Sequence, residues 1–414
     1  MLLFLLDQLI DKISSMVSNE EVHSKASSFY KFGKKITFKA PYCFLYTKAG
    51  SIPHLTNETL SYLDTKLLNS ATVYEIPVPT VVDFKETFKV FDGECAEFFC
   101  LKSPCLTYCS LKDSLQKTSK GFNKNKSVAV WGIGGKKDLN PSSHMELLES
   151  MKPDIFDCLN DNDVVFSDSK KRTIKSVDRS LKFLEDAISI HNTSKLLKNS
   201  KMVCTIQGNF LVNECKRFCE ALKNLTKDYS EKIFSYKLDF SNMNSEQSKI
   251  MLECVKENIG TSKPFFAVGI GNPLSILDYL KEGVYFFESS YISNLASKNM
   301  ALCYNLIDED LIFCKDLKNS EKNITSFKDT MDLSDVKYEK CFKPIMVGCE
   351  CYTCRHHTCA YIHHLVQVNE MLAPVLLTIH NLHHHLTFFK VVQNFLEKNV
   401  EIDAIKAALI EVNT

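Results

Sequence analysis

Glycine and proline are scarce in this chain, 13 and 11 among 414 residues, which excludes collagen-like and low-complexity architectures. Arginine is nearly missing: of 50 basic residues only Arg172, Arg179, Arg217 and Arg355 carry a guanidinium, and the rest are lysines. Net charge is zero, so no global basic field announces nucleic acid. Any phosphate contact must then come from lysine point charges, not from bidentate forks. No eighteen apolar residues run together, so no membrane-spanning helix is expected. The opening MLLFLLDQLIDKISSM also lacks a basic n-region, and Asp7 and Asp11 interrupt its apolar run. Seventeen cysteines without a secretory signal are therefore expected to be reduced thiols of an intracellular protein, most of them small core residues.

What is present is ordered. Leu2, Leu5, Leu6, Leu9, Ile10, Ile13, Met16 and Val17 share one helical face, so residues 1–35 read as an N-terminal helical extension. Its apolar side would dock on the protein's own body or a partner. Membrane-surface attachment is the weaker reading, because the polar face is not basic. From about residue 40, short apolar runs at 44–46, 128–131, 155–159, 203–206, 233–238, 265–270 and 284–287 alternate with helical patterns. Those patterns include 143–151, 173–189, 212–225 and 245–258. Strand and helix in alternation mean a parallel sheet with crossover helices. Seven or eight such units favour an α/β fold of the closed (β/α)8 TIM type over residues 36–315. A dinucleotide-binding sheet would need G-x-G-x-x-G. Gly132, Gly134 and Gly135 lack the third spaced glycine, and Gly269-Ile270-Gly271 is followed by Asn272 and Pro273. Residues 316–340 are polar and aperiodic, and read as a solvated insertion.

After 341 the character changes: eight of twelve histidines and four cysteines fall between 349 and 385. Cys349-Glu350-Cys351-Tyr352-Thr353-Cys354 is a C-x-C-x-x-C with Gly348 easing a turn before it. Three thiolates within six residues can converge on one cation, and zinc asks for a fourth ligand to complete a tetrahedron. His380, inside the second of two helices expected in AYIHHLVQVNEMLAPVLLTIHNLHHHL, is one candidate. His383, His384, Cys359 and His363 compete with it. Residues 341–414 are thus expected to be a zinc-binding segment with C-terminal helices.

These residues carry a resemblance. C-x-C-x-x-C followed by AYIHHL and by HNL resembles the zinc segment of the tRNA-guanine transglycosylase (queuine tRNA-ribosyltransferase) family. The resemblance implies His380 as the fourth ligand, hence one structural Zn2+ on Cys349, Cys351, Cys354 and His380. Thr205-Ile206-Gln207-Gly208 resembles the family's V-Q-G-G, with Asn209 in place of the second glycine. Ser176-Val177-Asp178-Arg179-Ser180 resembles its S-x-x-R-S helix, and Gly283 to Ser289 its G-x-D-x-F-D-C strand. The stretches 43–60, 126–138 and 153–161 are similar to the accessory branch of the eukaryotic enzymes, not to the catalytic one.

The family exchanges guanine for queuine in a tRNA anticodon. Double displacement at C1′ needs a carboxylate nucleophile and a second carboxylate to handle protons. The resemblance puts the nucleophile's position at Glu288, one methylene longer than aspartate. The D-S-G-G-F-Q segment is missing, since 96–114 read AEFFCLKSPCLTYCSLKDS; the glycine-rich loop is replaced near 236–243 by YKLDFSNM. The base-reading aspartate aligns with Asn160, and the basic loop after the nucleophile is replaced by SYISNLA. No catalytic residue is therefore expected. The resemblance implies a non-catalytic accessory subunit that forms a heterodimer with a catalytic transglycosylase subunit and binds tRNA, in service of queuosine modification. Lys124, Lys126, Lys170 and Lys171 are candidate phosphate contacts, and His363, Tyr361 and Phe388 candidate partner contacts. A cytoplasmic location is implied, with peripheral association at the mitochondrial outer membrane. The competing reading is a divergent transglycosylase using Glu288.

Overall fold

The computed structural model describes residues 27–31, 34–63, 67, 72–101, 104–161, 163–208, 211–307 and 327–413. Eight strands close into a barrel: β1 (Tyr42–Tyr46), β2 (Thr72–Pro77), β3 (Cys105–Ser110), β4 (Ile155–Asp157), β5 (Lys201–Thr205), β6 (Ile233–Asp239), β7 (Phe265–Val268) and β8 (Val284–Glu288). Neighbours from β1 through β7 pair in parallel, in chain order. Helices follow the strands at Pro141–Met151, Lys170–Thr193, Val212–Leu225, Ser245–Ile259, Pro273–Lys281 and Ser290–Ser297. The (β/α)8 expectation holds.

Two barrel strands escape the apolar pattern. TVYEIP of β2 carries Glu75 at its centre and ends in proline, and CLTYCS of β3 looks like loop composition; both are buried at every residue. A barrel strand has one face in the interior and one under helices, so neither alternation nor exposure marks it. Conversely, the run at 128–131 is a strand but not a barrel strand. It forms an antiparallel hairpin, Val128–Gly132 with Gly135–Leu139. The glycines there serve a turn: a Cβ on Gly132 would meet Asp83 Oδ2 at 2.3 Å, Gly134 N–H donates to the same oxygen at 2.8 Å, and Gly135 has φ +94°. That is why they mimic a phosphate loop without being one.

The described residues divide into two compact units, one drawn from 44–52 and 70–270, the other from 27–43, 53–69 and 271–413. Residues 1–20, read as a helix, lie outside the described residues. Ser27–Lys31, inside the expected helical extension, is instead a strand paired with Lys34–Phe38. Of the polar insertion, Thr330–Asp332 pairs antiparallel with Met300–Leu302. No described helix is long and apolar enough to cross a membrane.

Candidate metal centre and barrel pocket

In the C-terminal unit, a turn and a short helix bring three thiols to one point beside a long helix. Gly348 at φ +83° turns the chain into Cys349. Cys351 caps the helix Tyr352–His356, its Sγ accepting from Cys354 N–H at 3.3 Å, which fixes two sulfurs on the same side. Thr353 Oγ1 donates to Leu376 O at 2.7 Å and anchors that helix to Leu372–Glu397, on which His380 is fully buried. The sulfurs of Cys349, Cys351 and Cys354 stand 3.9, 3.5 and 3.3 Å from His380 Nδ1. All four ligand atoms lie within 4.8 Å of one another. A tetrahedral zinc with Zn–S ~2.3 Å and Zn–N ~2.0 Å separates S from N by about 3.6 Å, so the spacing suits that ion. His380 Nε2 faces Leu302 O at 2.8 Å, which makes Nε2 the protonated nitrogen and leaves Nδ1 for a cation. Asn381 reinforces this support, accepting from Leu302 N at 2.8 Å and donating to Met300 O at 2.9 Å.

Electrostatics couple the four groups to one another. Sulfur–sulfur hydrogen bonds from Cys351 and Cys354 pull the Cys349 thiol well below its ordinary pKa. Burial opposes charge on His380, but its bonds to Cys349 and Cys354 outweigh burial and push its pKa up to about 10. Hydrogen bonds to Cys349 and Cys354 raise the Cys351 thiol instead, so a thiolate at Cys349 faces the His380 imidazolium, and a cation bound there would displace the proton from Nδ1. The competing ligand candidates do not join the cluster: His363 Nδ1 meets Leu333 O at 2.8 Å, and the His384 ring packs edge-on against Tyr304. Cys359 packs in the apolar core beside the cluster, its thiol pushed up to about 12, chiefly by burial.

Glu288, at the end of β8, is 1% exposed. One carboxylate oxygen accepts from Ser290 N–H at 2.5 Å and the other from Ser290 Oγ–H at 2.8 Å. The carboxylate is folded onto the first turn of the helix that follows it.

In the other unit a cavity of about 320 Å³ opens among Trp131, Asp157, Asn160, Thr205, Lys237 and Asp239. Its deep polar groups bind each other. Lys237 Nζ pairs with Asp157 Oδ2 and lies 3.0 Å from Tyr108 Oη; Tyr108 donates to Asp157 Oδ1 at 2.6 Å, and Leu111 N–H to Oδ2 at 2.9 Å. Burial disfavours the Lys237 ammonium, yet Asp157 outweighs it and raises the lysine's pKa. Burial, then Asp157, raises the Tyr108 phenol well above its usual value.

Two of the recognised sequence stretches meet at a neighbouring carboxylate that the sequence did not single out. Arg172 grips Asp161 with two bonds, 2.8 and 2.7 Å; Arg179 adds one at 2.9 Å and Asn123 one at 2.7 Å. Ser180 Oγ accepts from Asp161 N–H, and Ser176 Oγ donates to Asp161 O and contacts Gln207 Oε1 at 3.3 Å. The S-x-x-R-S helix is thereby a cradle for Asp161. Gly208 is required beside it, since a Cβ there would lie 2.4 Å from Cys215 N and its φ is +87°. Sequence reading also missed His144, buried with neither ring nitrogen bonded and its pKa lowered to about 4 by burial. A lone histidine in an apolar helix gives no signal by spacing.

Among the candidate phosphate contacts, Lys124 is taken up by Asp138 at 2.6 Å. Of the expected partner contacts, only Tyr361 is exposed, at 41%; His363 and Phe388 are core residues at 5% and 1%. Helical phase explains the correction: Tyr361 sits two positions before His363, on the opposite side of its helix.

Comparison with known proteins supplies the family. The model of the family described as queuine tRNA-ribosyltransferase matches residues 28–409. Three similar curated proteins are each named queuine tRNA-ribosyltransferase accessory subunit 2. That of Pongo abelii is 30% identical over 388 residues, covering 88% of this chain and 90% of its own. That of Ixodes scapularis is 30% identical over 367 residues, 86% and 89% of the two chains. The Culex quinquefasciatus protein is 29% identical over 380, covering 91% and 84%.

Proposed function

Because the chain belongs to the queuine tRNA-ribosyltransferase family, we propose that it is the non-catalytic partner in a heterodimer that exchanges guanine for queuine at the tRNA wobble position. The observation that carries this reading is the state of Glu288. A nucleophile must present a carboxylate oxygen to C1′, whereas both Glu288 oxygens accept hydrogen bonds from Ser290. The paired interior of the barrel supports it: Asp157, Lys237 and Tyr108 neutralise one another. The relatives' shared description as an accessory subunit is in accord.

In this reading Cys349, Cys351, Cys354 and His380 hold one Zn2+. Four protein ligands leave no open position for water, so the ion stabilises the C-terminal unit and activates nothing. The partner docks at exposed Tyr361, whose ring stacks on His357 at 5.4 Å between centroids. Lysines on the surface supply sequence-independent contacts to tRNA phosphates. The work is done in the cytoplasm, where thiols stay reduced; residues 1–20 are the segment that would reach the mitochondrial outer membrane.

The test is co-purification with a catalytic transglycosylase subunit, then a guanine-exchange assay of each chain alone and of both. The reading expects one gel-filtration peak for the mixture and activity only when the catalytic chain is present. Exchange by this chain alone, or an adduct between Glu288 and tRNA on denaturing gels, would establish the divergent-enzyme reading instead.

A further inference from the structure

We infer that Cys341 and Cys359 form an oxidation site: a thiol pair that a peroxide converts to a disulfide, closing the loop that carries the three metal-ligand thiols. Two backbone bonds bring the pair together. Cys359 N–H donates to Lys343 O and Ala360 N–H to Cys341 O, each at 2.8 Å, so residues 341–343 run alongside 359–360. A disulfide needs Cα atoms roughly 4.4–6.8 Å apart, and the second of these bonds ties the carbonyl of Cys341 to the residue next to Cys359. The two thiols are in side-chain hydrogen-bond contact. Both pack in the small core that also contains Cys351 and Cys354.

Access separates this pair from other thiol neighbours. Cys341 is half-buried and Cys359 is 1% exposed, so an oxidant reaches the first and the second is held in wait. Cys215 and Cys254 also touch, but both are buried, at 2% and 6%, with no comparable route in. The chemistry follows from that asymmetry. The Cys341 thiolate attacks one peroxide oxygen; an S–O bond forms, the O–O bond breaks, and hydroxide leaves as water after taking a proton. The Cys359 sulfur then attacks the resulting sulfenic acid; the S–S bond forms, the S–O bond breaks, and the second water carries away the Cys359 proton. Two thiols lose two hydrogens and two electrons, and the peroxide becomes two waters.

The consequence for the loop rests on the zinc reading above. Cys349, Cys351 and Cys354 all lie between the paired cysteines, and a cross-link at the base of a loop removes the open conformations through which a chelator strips a metal. The link joins residues 341 and 359, neither of them a ligand, so it consumes none of the four ligand atoms.

The experiment treats the full zinc-loaded chain with hydrogen peroxide and maps disulfides by mass spectrometry of an unreduced digest. Exposed Cys100 reports that the oxidant was effective. The expected result is a Cys341–Cys359 link, zinc retained, and release of zinc to a chelator slowed by roughly tenfold. Cys341→Ser and, independently, Cys359→Ala should abolish the link and the slowing while keeping full zinc content. Both cysteines remaining reduced while Cys100 is modified, or either pairing with a different cysteine, would overturn the inference. A chain that carries no zinc before treatment defeats the ligand assignment alone, because the digest still decides the pair.

Discussion

The two units handle buried polar groups in opposite ways. In the C-terminal unit, three sulfurs and one imidazole nitrogen converge within 4.8 Å with no lysine, arginine or carboxylate among them, an arrangement that could hold a single cation. In the barrel, Asp157 has Lys237 and Tyr108, and Asp161 has two arginines and an asparagine, so each carboxylate is already answered from within the chain. A convergence of ligand atoms such as this one suits a bound cation, whereas an internally answered carboxylate marks structure. Both arrangements are densely polar, and composition alone would rank them equally.

The comparison breaks most severely at Cys354. Cys354→Ser should bring zinc well below one equivalent and melt the C-terminal unit first, because metal affinity of ~10 kcal/mol or more is there folding free energy. Metal analysis with limited proteolysis reads both, and full occupancy in the variant would mean a different ligand set. Next in size is Lys237→Met. It leaves Asp157 buried without its cation and should cost about 3–5 kcal/mol by urea denaturation. Adding Asp157→Leu should recover much of that loss, since an apolar pair of similar volume is often no worse than the ion pair. A third prediction concerns His144. Its folded pKa of about 4 lies below the unfolded value of 6.5, so the unfolded state binds more protons between them. Its contribution is intact above pH 6.5 and falls away toward pH 4, by on the order of 3 kcal/mol in all. His144→Phe should flatten that part of the stability curve; an unchanged slope would place the titration elsewhere.

The smallest expected effect is at Glu288. Glu288→Gln should leave exchange by the assembled heterodimer within about twofold of the parent, whereas loss of a true nucleophile costs orders of magnitude. Glu288→Asp should fail to create activity in the isolated chain, because residues that act as a unit are not restored singly. Loss of exchange in the heterodimer carrying Glu288→Gln would move this carboxylate from structure to chemistry.

The barrel was legible in the alternation of apolar runs and helical patterns, and the helix limits were close: 212–225 coincides with Val212–Leu225, and 245–258 with Ser245–Ile259. Strands β2 and β3 were not, because Glu75 and Tyr108, opposite each other in register, bring polar chemistry to one buried face while Thr107 on the other face bonds Asp154, a composition that hydropathy assigns to loops. The three thiols announced themselves because their spacing is local. His380 was open among several histidines until the resemblance indicated it, since the choice depends on which face of one long helix meets Met300–Leu302. The Asp161 cradle was invisible for the opposite reason. Its members come from 123, 161, 172 and 176–180, and only the folded chain places them together.

That cradle has a dynamic consequence. Asn123 Oδ1 accepts from Ala129 N–H while its amide nitrogen holds Asp161, and Arg179 reaches Asn125 as well as Asp161. The segment leading into the 128–139 hairpin, the end of β4 and the helix Lys170–Thr193 are thus fastened at one carboxylate. They cannot fray one at a time: opening any of them exposes a buried charge, so their amides should exchange with solvent hydrogen at a common rate, as one cooperative unit.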